Sequence, residues 1–339
     1  MQSVDELESL LSRPTDVSRQ ALRELQGDLL ILGAGGKMGP SLARLARRSA
    51  DEVGRQDLRV IGVSRFSTPE VRDELEAAGI ETIACDLLDA DERSRLPQIE
   101  NVLLMTAFKF GSASRPDLAW ATNCYLPALL AEQFRRSRLV AFSTGNVYPM
   151  VSVTSNGADE SVPPDPIGEY GITGLGRERL LEYVSHRHQT PVCLLRLNYA
   201  VELRYGVPVD IAQRLLAGEP VDLSTSHVNL VWQGYANAVA LAAFGLAASP
   251  AEVLNLTGPG VLPVRDLAAG LAKRLSVTAT FSGKEGATAL LNDASRCLQR
   301  FGPPDLDVEQ ILDLVADWLQ AGLPVHGKPT KFQVRDGKF

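Results

Sequence analysis

The chain has 339 residues, 45% of them hydrophobic, and a formal net charge of −7 at pH 7. That length buries a sizeable core and fits one compound domain or two, while the acidity argues against nucleic acid or an anionic membrane as the main partner. No basic stretch followed by an apolar one opens the sequence, and no apolar run reaches the length of a membrane span, so a cytoplasmic protein is expected. Cys85, Cys124, Cys193 and Cys297 lie far apart and the four histidines show no ligand spacing, so reduced thiols and no metal are expected.

Residues 1–26 carry leucines at 7, 10, 11, 22 and 25, with a break near Pro14, and read as a short helical arm without chemistry. Leu29 to Leu32 is a short apolar run that enters a glycine turn with Gly33, Gly35, Gly36, Lys37, Met38 and Gly39. An amphipathic run, Ser41 to Arg48, follows it. Strand, glycine turn and helix in that order predict a dinucleotide site: Gly33 permits the sharp turn and Gly36 lets backbone approach a pyrophosphate. Gly39 lets the helix pack on its strand, and the helix N-terminus faces the negative charge.

A second strand, Leu58 to Val63, ends in Ser64-Arg65, at the place where the adenosine ribose is met. An acid there suits the 2′-hydroxyl of NAD; arginine beside small hydroxyl residues suits a 2′-phosphate, so NADP is preferred, with NAD as the alternative. Ile80 to Ala84 runs into Cys85-Asp86-Leu87, and Asn101 to Thr106 runs into Ala107-Phe108-Lys109-Phe110. A helical stretch from Pro116 to Arg136 contains Asn123 and should kink at Pro127. Leu139 to Phe142 opens into Ser143-Thr144. The alternation predicts an α/β fold, a Rossmann-type doubly wound parallel sheet of about seven strands, with ligands beyond the strands' carboxyl ends.

These pieces, with Val147-Tyr148, Tyr170 in Glu169-Tyr170-Gly171, and Arg196-Leu197-Asn198, resemble the extended short-chain dehydrogenase/reductases, the NAD-dependent epimerase/dehydratase family. Leu254 to Gly258 extends the resemblance to about residue 275. The resemblance implies an NAD(P)-dependent oxidoreductase, epimerase or dehydratase acting on a carbohydrate or a related hydroxy or keto compound. It implies that Asp86 contacts the adenine, that Thr144 bonds the substrate oxygen and that Tyr170 moves the proton. Ser64, Leu87, Thr106, Ala107, Asn123 and Asn198 join the cofactor-binding set. A small-molecule substrate, a sugar or sugar derivative, and a homodimer complete the expected partners.

The residues depart from the family pattern one helical turn after the tyrosine, where the expected lysine is Gly174. An ammonium there would bind the nicotinamide ribose and favour the ionised phenol. Lys109, leaving the fourth strand between two phenylalanines, is the candidate replacement, with Arg177 a weaker one. Tyr235 stands where the family often has a helix-capping aspartate. Loss of the lysine also supports a second reading, a non-catalytic NAD(P)-binding sensor or scaffold.

The expected organisation is the arm (1–26), then the cofactor domain (27–200, completed by 228–256). A smaller substrate-covering region and tail take 201–227 and 257–339. In the latter, Val264 to Leu275, Leu290 to Phe301 and Val308 to Leu319 are predicted helices, and the tail from Pro324 is assigned no function.

Overall fold

The structure is a computed structural model and describes residues 1–338. Its centre is a sheet of seven parallel strands. β1 (Leu29–Leu32), β2 (Val60–Ser64), β3 (Glu81–Ala84), β4 (Asn101–Leu104) and β5 (Arg138–Thr144) stand in the spatial order β3-β2-β1-β4-β5. The strands Val192–Leu197 and Glu252–Leu256 add beyond β5. Leu29 is opposite both Val60 and Asn101, so β1 lies at the point where the strand order reverses. In a doubly wound sheet the crevice opens at that switch point, beyond the strand ends. The expected architecture is present, with strand boundaries shifted by a residue or two.

β1 and β4 are buried at every position, because helices cover both faces and leave no solvent side to alternate toward. One face packs the helices Gly39–Glu52 and Gln233–Ala242 onto the sheet, with Ile31, Leu42 and Val239 in their shared core. The other packs Leu130, Phe134 and Leu181 against Leu30 and Leu32. A separate core lies under the helices Val207–Leu216, Val264–Leu275 and Val308–Gln320, with Trp232 and Trp318 fully buried in it.

The N-terminal arm forms two helices, α1 (Val4–Leu11) and α2 (Asp16–Glu24), capped by Ser3 and Thr15. Its leucines join both cores: Leu7 and Leu11 enter the second, Leu22 and Leu25 the first. Glu8 also pairs with Arg44 of the glycine-turn helix and with Arg204 of the smaller region.

Three local expectations need correction. Between Pro116 and Gln133 the irregularity is a π turn, Ala121–Tyr125, just ahead of Pro127. Proline has no N–H to give the carbonyl four residues back, and that Asn123 carbonyl accepts from Arg177 Nε at 3.1 Å. The helix expected from Leu290 begins only at Ser295. Ahead of it the Asn292 amide is drawn to Asn229 Oδ1 and the Asp293 carboxylate accepts from the Ser295 amide, which stops a helix there. Tyr235 lies inside its helix and not at its cap; the buried ring sends its hydroxyl to the Gly302 carbonyl at 2.7 Å.

Candidate functional site

The glycine turn sits at the carboxyl end of β1, and each glycine has its own neighbour. Gly33 has φ +100°, a left-handed conformation that side chains rarely adopt, and backbone of Met105 and Thr106 lies 3.2 Å from where its Cβ would be. A Cβ on Gly35 would stand 2.6 Å from Ser64 Oγ. At Gly36 the only near atom is the Gly33 carbonyl oxygen, at 3.2 Å, so this residue leaves the cleft clear. Gly39 packs on the backbone of Ala34, within its own turn, where any Cβ would collide; the close contact is not with the strand as the sequence suggested.

A cavity of about 410 Å³ opens from this turn along the ends of β2, β3 and β4. Gly33, Gly35, Gly36, Ser64, Arg65, Asp86, Leu87, Thr106 and Ala107 line it, which brings most of the expected cofactor residues together. Arg65 is exposed at its edge, and among the described residues no carboxylate pairs with it. The residues fit a dinucleotide on two counts. Gly36 leaves room for a phosphate at a helix start, and the buried Thr106 hydroxyl has no hydrogen-bond partner at the cavity wall.

Other expected contacts are elsewhere. Asn123 is fully buried behind the wall, its side-chain oxygen accepting from the Phe108 amide at 2.8 Å and its amide donating to the Phe108 carbonyl and to Thr173. It therefore braces the Phe108–Lys109 loop from inside the protein. Asn198 is buried too and donates to the Leu290 carbonyl at 3.3 Å, tying the sheet to the smaller region. The Met38 side chain packs on the sheet's core.

The absent lysine has a geometric reason. A Cβ on Gly174 would lie 2.8 Å from the methyl carbon of Thr144, and one on Gly171 would lie 2.6 Å from the Asn146 carbonyl oxygen. The helix Gly168–His188 thus presses its glycine face onto the end of β5, which accounts for glycines that otherwise weaken a helix. Thr144 fills the place a lysine stem would need. Its hydroxyl accepts from the Asn146 amide at 3.2 Å and lies 3.1 Å from Asn146 Oδ1, capping the turn that follows β5.

Arg177 is not at the cleft surface either. Its buried guanidinium donates to the carbonyls of Thr106 and Phe142 and to Asn123, clamping the ends of β4 and β5 from below. Deeper still, Glu178 and Arg196 form a pair at 2.7 Å with side chains 0% and 4% exposed, and Arg196 also donates to the Tyr148 hydroxyl. Such a pair is retained only when its hydrogen bonds are complete, and Ser143 supplies a further one to Glu178.

Lys109 does reach the tyrosine. Its ammonium lies 5.6 Å from the centroid of the Tyr170 ring, 5.6 Å from that of Phe110 and 5.9 Å from that of Tyr199. Desolvation pulls its pKa down to about 8. Lys37, from the glycine turn, enters the same aromatic enclosure, against Tyr205 and 5.9 Å from the Phe110 centroid. The residue as a whole is exposed, yet its ammonium is withdrawn from water, which lowers its pKa to about 7. Tyr199, Tyr205 and Asp210 escape the sequence reading: no local motif marks them, and only the fold brings 199–210 against residues 37 and 109.

Known proteins share the fold. A UDP-glucuronic acid 4-epimerase from Bacillus cereus, solved with NAD and a UDP-sugar analogue, superposes with a TM-score of 0.73 at 17% identity, over 86% of this chain and 99% of that one. A UDP-glucose 4-epimerase from Thermotoga maritima gives 0.70 at 19% identity, over 87% and 99%. In sequence, an L-arabinose 1-dehydrogenase (NAD(P)(+)) from Haloferax volcanii is 26% identical over 180 residues, 47% of this chain and 67% of that protein. The profile of the NAD dependent epimerase/dehydratase family matches residues 29–201, just over half of the sequence. The chain belongs to the NAD dependent epimerase/dehydratase family.

Proposed function

We propose that the chain is an NAD(P)-dependent enzyme that oxidises, reduces or epimerises a carbohydrate or related hydroxy or keto compound. The observation that carries this reading is the approach of the Lys109 ammonium to the Tyr170 ring at the end of β4. A bound nicotinamide would supply hydride chemistry. The chain's own part is to move a proton on the reacting oxygen, and a phenol beside an ammonium is suited to it. Tyr170 is the proton-moving group and Lys109 supplies the cation that Gly174 cannot. Thr144, which caps the turn after β5 through the Asn146 amide, is the group at that strand end that would hold the substrate oxygen. The similar proteins named for sugars and UDP-sugars support a sugar-type substrate, and the smaller region (201–227 and 257–339) would cover it.

NADP is the proposed cofactor, on the strength of Arg65 exposed at the cavity edge, where a 2′-phosphate would take a charge-assisted contact. A homodimer is proposed through the face that carries exposed Trp120, Tyr125, Ile172 and Tyr183, which sedimentation at several concentrations checks. The catalytic assignment is tested by following nicotinamide reduction with a panel of aldoses. Tyr170→Phe should lower kcat by about 100-fold or more with cofactor affinity retained. Turnover equal to the parent's would remove Tyr170 from the chemistry.

A second reading, a non-catalytic NAD(P)-binding sensor, is favoured by one specific feature. The Thr144 hydroxyl is engaged in capping its own turn and its methyl occupies the lysine's place. Tight cofactor binding without turnover of any hydroxy or keto compound would support it.

A further inference from the structure

We propose that residues 324–338 form the outer wall of the substrate end of the cleft, latched at Gly168 to the start of the Tyr170 helix, and that this wall limits the size of the substrate. The proposal rests on the reading of the tyrosine end as the place where substrate reacts, and adds the element that bounds it.

The tail is anchored along its length. The His326 amide donates to the Arg204 carbonyl at 3.0 Å. Asp210 accepts from the amide of buried Thr330 at 2.7 Å and from its hydroxyl. The buried Phe332 ring joins the core under the smaller region's helices. Arg335 donates to the Ser224 carbonyl at 3.3 Å, to the Thr288 carbonyl at 2.6 Å and to the Thr288 hydroxyl at 2.8 Å. The strand Thr288–Ala289 pairs antiparallel with Val151–Ser152, shortly beyond the turn that Thr144 caps, so Arg335 ties the tail to the segment that follows β5. Between these anchors the tail passes both lysines of the cleft. Besides desolvation, the charge of Lys331 lowers the Lys109 pKa and that of Lys328 lowers the Lys37 pKa.

Beyond Arg335 the tail crosses to the cofactor domain. Gly337 has φ +72° and Gly168 has φ +76°, and the two meet backbone to backbone. A Cβ on Gly337 would stand 2.5 Å from the Ile167 carbonyl oxygen and 2.7 Å from Gly168 Cα. One on Gly168 would stand 2.6 Å from the Gly337 carbonyl oxygen. Neither position accepts a side chain while the contact holds. Gly168 is the first residue of its helix, two before Tyr170, and no room for a sugar ring is left between the two backbones there. Among the described residues no hydrogen bond joins Gly337 to Ile167 or Gly168. A wall hydrogen-bonded as far as Arg335 and held beyond it by contact alone opens first at that end. A compact sugar is enclosed whole, whereas a substituent projecting past Gly168 must displace residues 336–338.

The test compares modification of Lys109 in the full chain by a small acylating reagent, acetic anhydride, and a bulky one, a sulfosuccinimidyl biotin ester. Mass spectrometry reads each site, with exposed Lys273 and Lys284 as internal standards. The ratio of the two rates cancels differences in lysine basicity. In the parent the bulky reagent should lag at Lys109 by about tenfold or more relative to the standards. Gly337→Ala and Gly168→Ala should each shrink that lag by about tenfold, and the double variant no further, because both break one contact. Gly327→Ala is the control: it too has positive φ in the tail, but its Cβ meets nothing within 4 Å, and the lag should stay. No lag in the parent, an unchanged lag in either latch variant, or an equal loss of lag in Gly327→Ala overturns the proposal. Turnover of the aldose panel reports separately: its absence counts against the enzyme, and a missing lag counts against the wall alone.

Discussion

At the glycine-turn end of the cleft, contacts come from backbone and small residues in successive turns after β1, β2, β3 and β4. At the tyrosine end, Lys37, Lys109, Tyr170, Tyr199, Tyr205 and Asp210 arrive from separated stretches and meet through side chains. The first end is set by local conformation, the second by tertiary convergence. Substitutions at the two ends should therefore fail in different ways, cofactor binding or folding at the glycines and chemistry or substrate choice at the side chains.

The largest effects should come from two glycines of the same turn. Gly36→Val puts a branched side chain into the open cradle, where only the Gly33 carbonyl is near, and should abolish NADP binding in calorimetry while the melting temperature holds. Gly39→Val drives its Cβ into the Ala34 backbone and should instead lower stability by about 3 kcal/mol or more in urea. Equal losses of folding at both positions would erase the distinction between cradle and packing glycine.

Restoring the family lysine sharpens the comparison at the other end. Gly174→Lys must displace the Thr144 methyl, so a loss of about 1–3 kcal/mol and no gain in turnover are expected. Adding Thr144→Ser should recover part of that stability. A fully active, fully stable single variant would show that the position was merely vacant.

The difference between the two ends also explains what is legible in the sequence. β1, the turn at 33–39 and the strand ends at 64–65, 86–87 and 106–107 are each contiguous in sequence, and their spacing alone carries the geometry. Lys109 is legible for the same reason, as a residue leaving a strand end. Asn123 is misplaced by its motif position, which says nothing of direction: the π turn before Pro127 points it inward to Phe108. Gly174 resembles a gap because sequence does not reveal how closely a helix packs on β5. Tyr199, Tyr205 and Asp210 have no local signature, and the tail that bonds Asp210 through Thr330 lies 120 residues away.

A smaller effect concerns cofactor choice. Arg65→Ala should narrow the preference for NADP over NAD by about tenfold, read from the two dissociation constants. Unchanged, equal affinities would reject the role of Arg65.

The smallest effect is on stability against pH. Lys109 has a folded-state pKa of about 8, below the ordinary lysine value of 10.5. The unfolded chain therefore binds more protons between those values, and stability attributable to this group rises with pH across that window. Lys109→Met should flatten that part of the urea-midpoint profile and leave the protein no less stable at pH 6.

The claim that Lys109 takes the place of the missing helix lysine is tested most directly by the crystal structure of the NADP complex. The account predicts the Lys109 ammonium within hydrogen-bond reach of the nicotinamide ribose, with Tyr170 alongside, and the Gly174 face still closed by Thr144. An ammonium turned away from both the ribose and Tyr170 would contradict it and leave the non-catalytic binder as the better description.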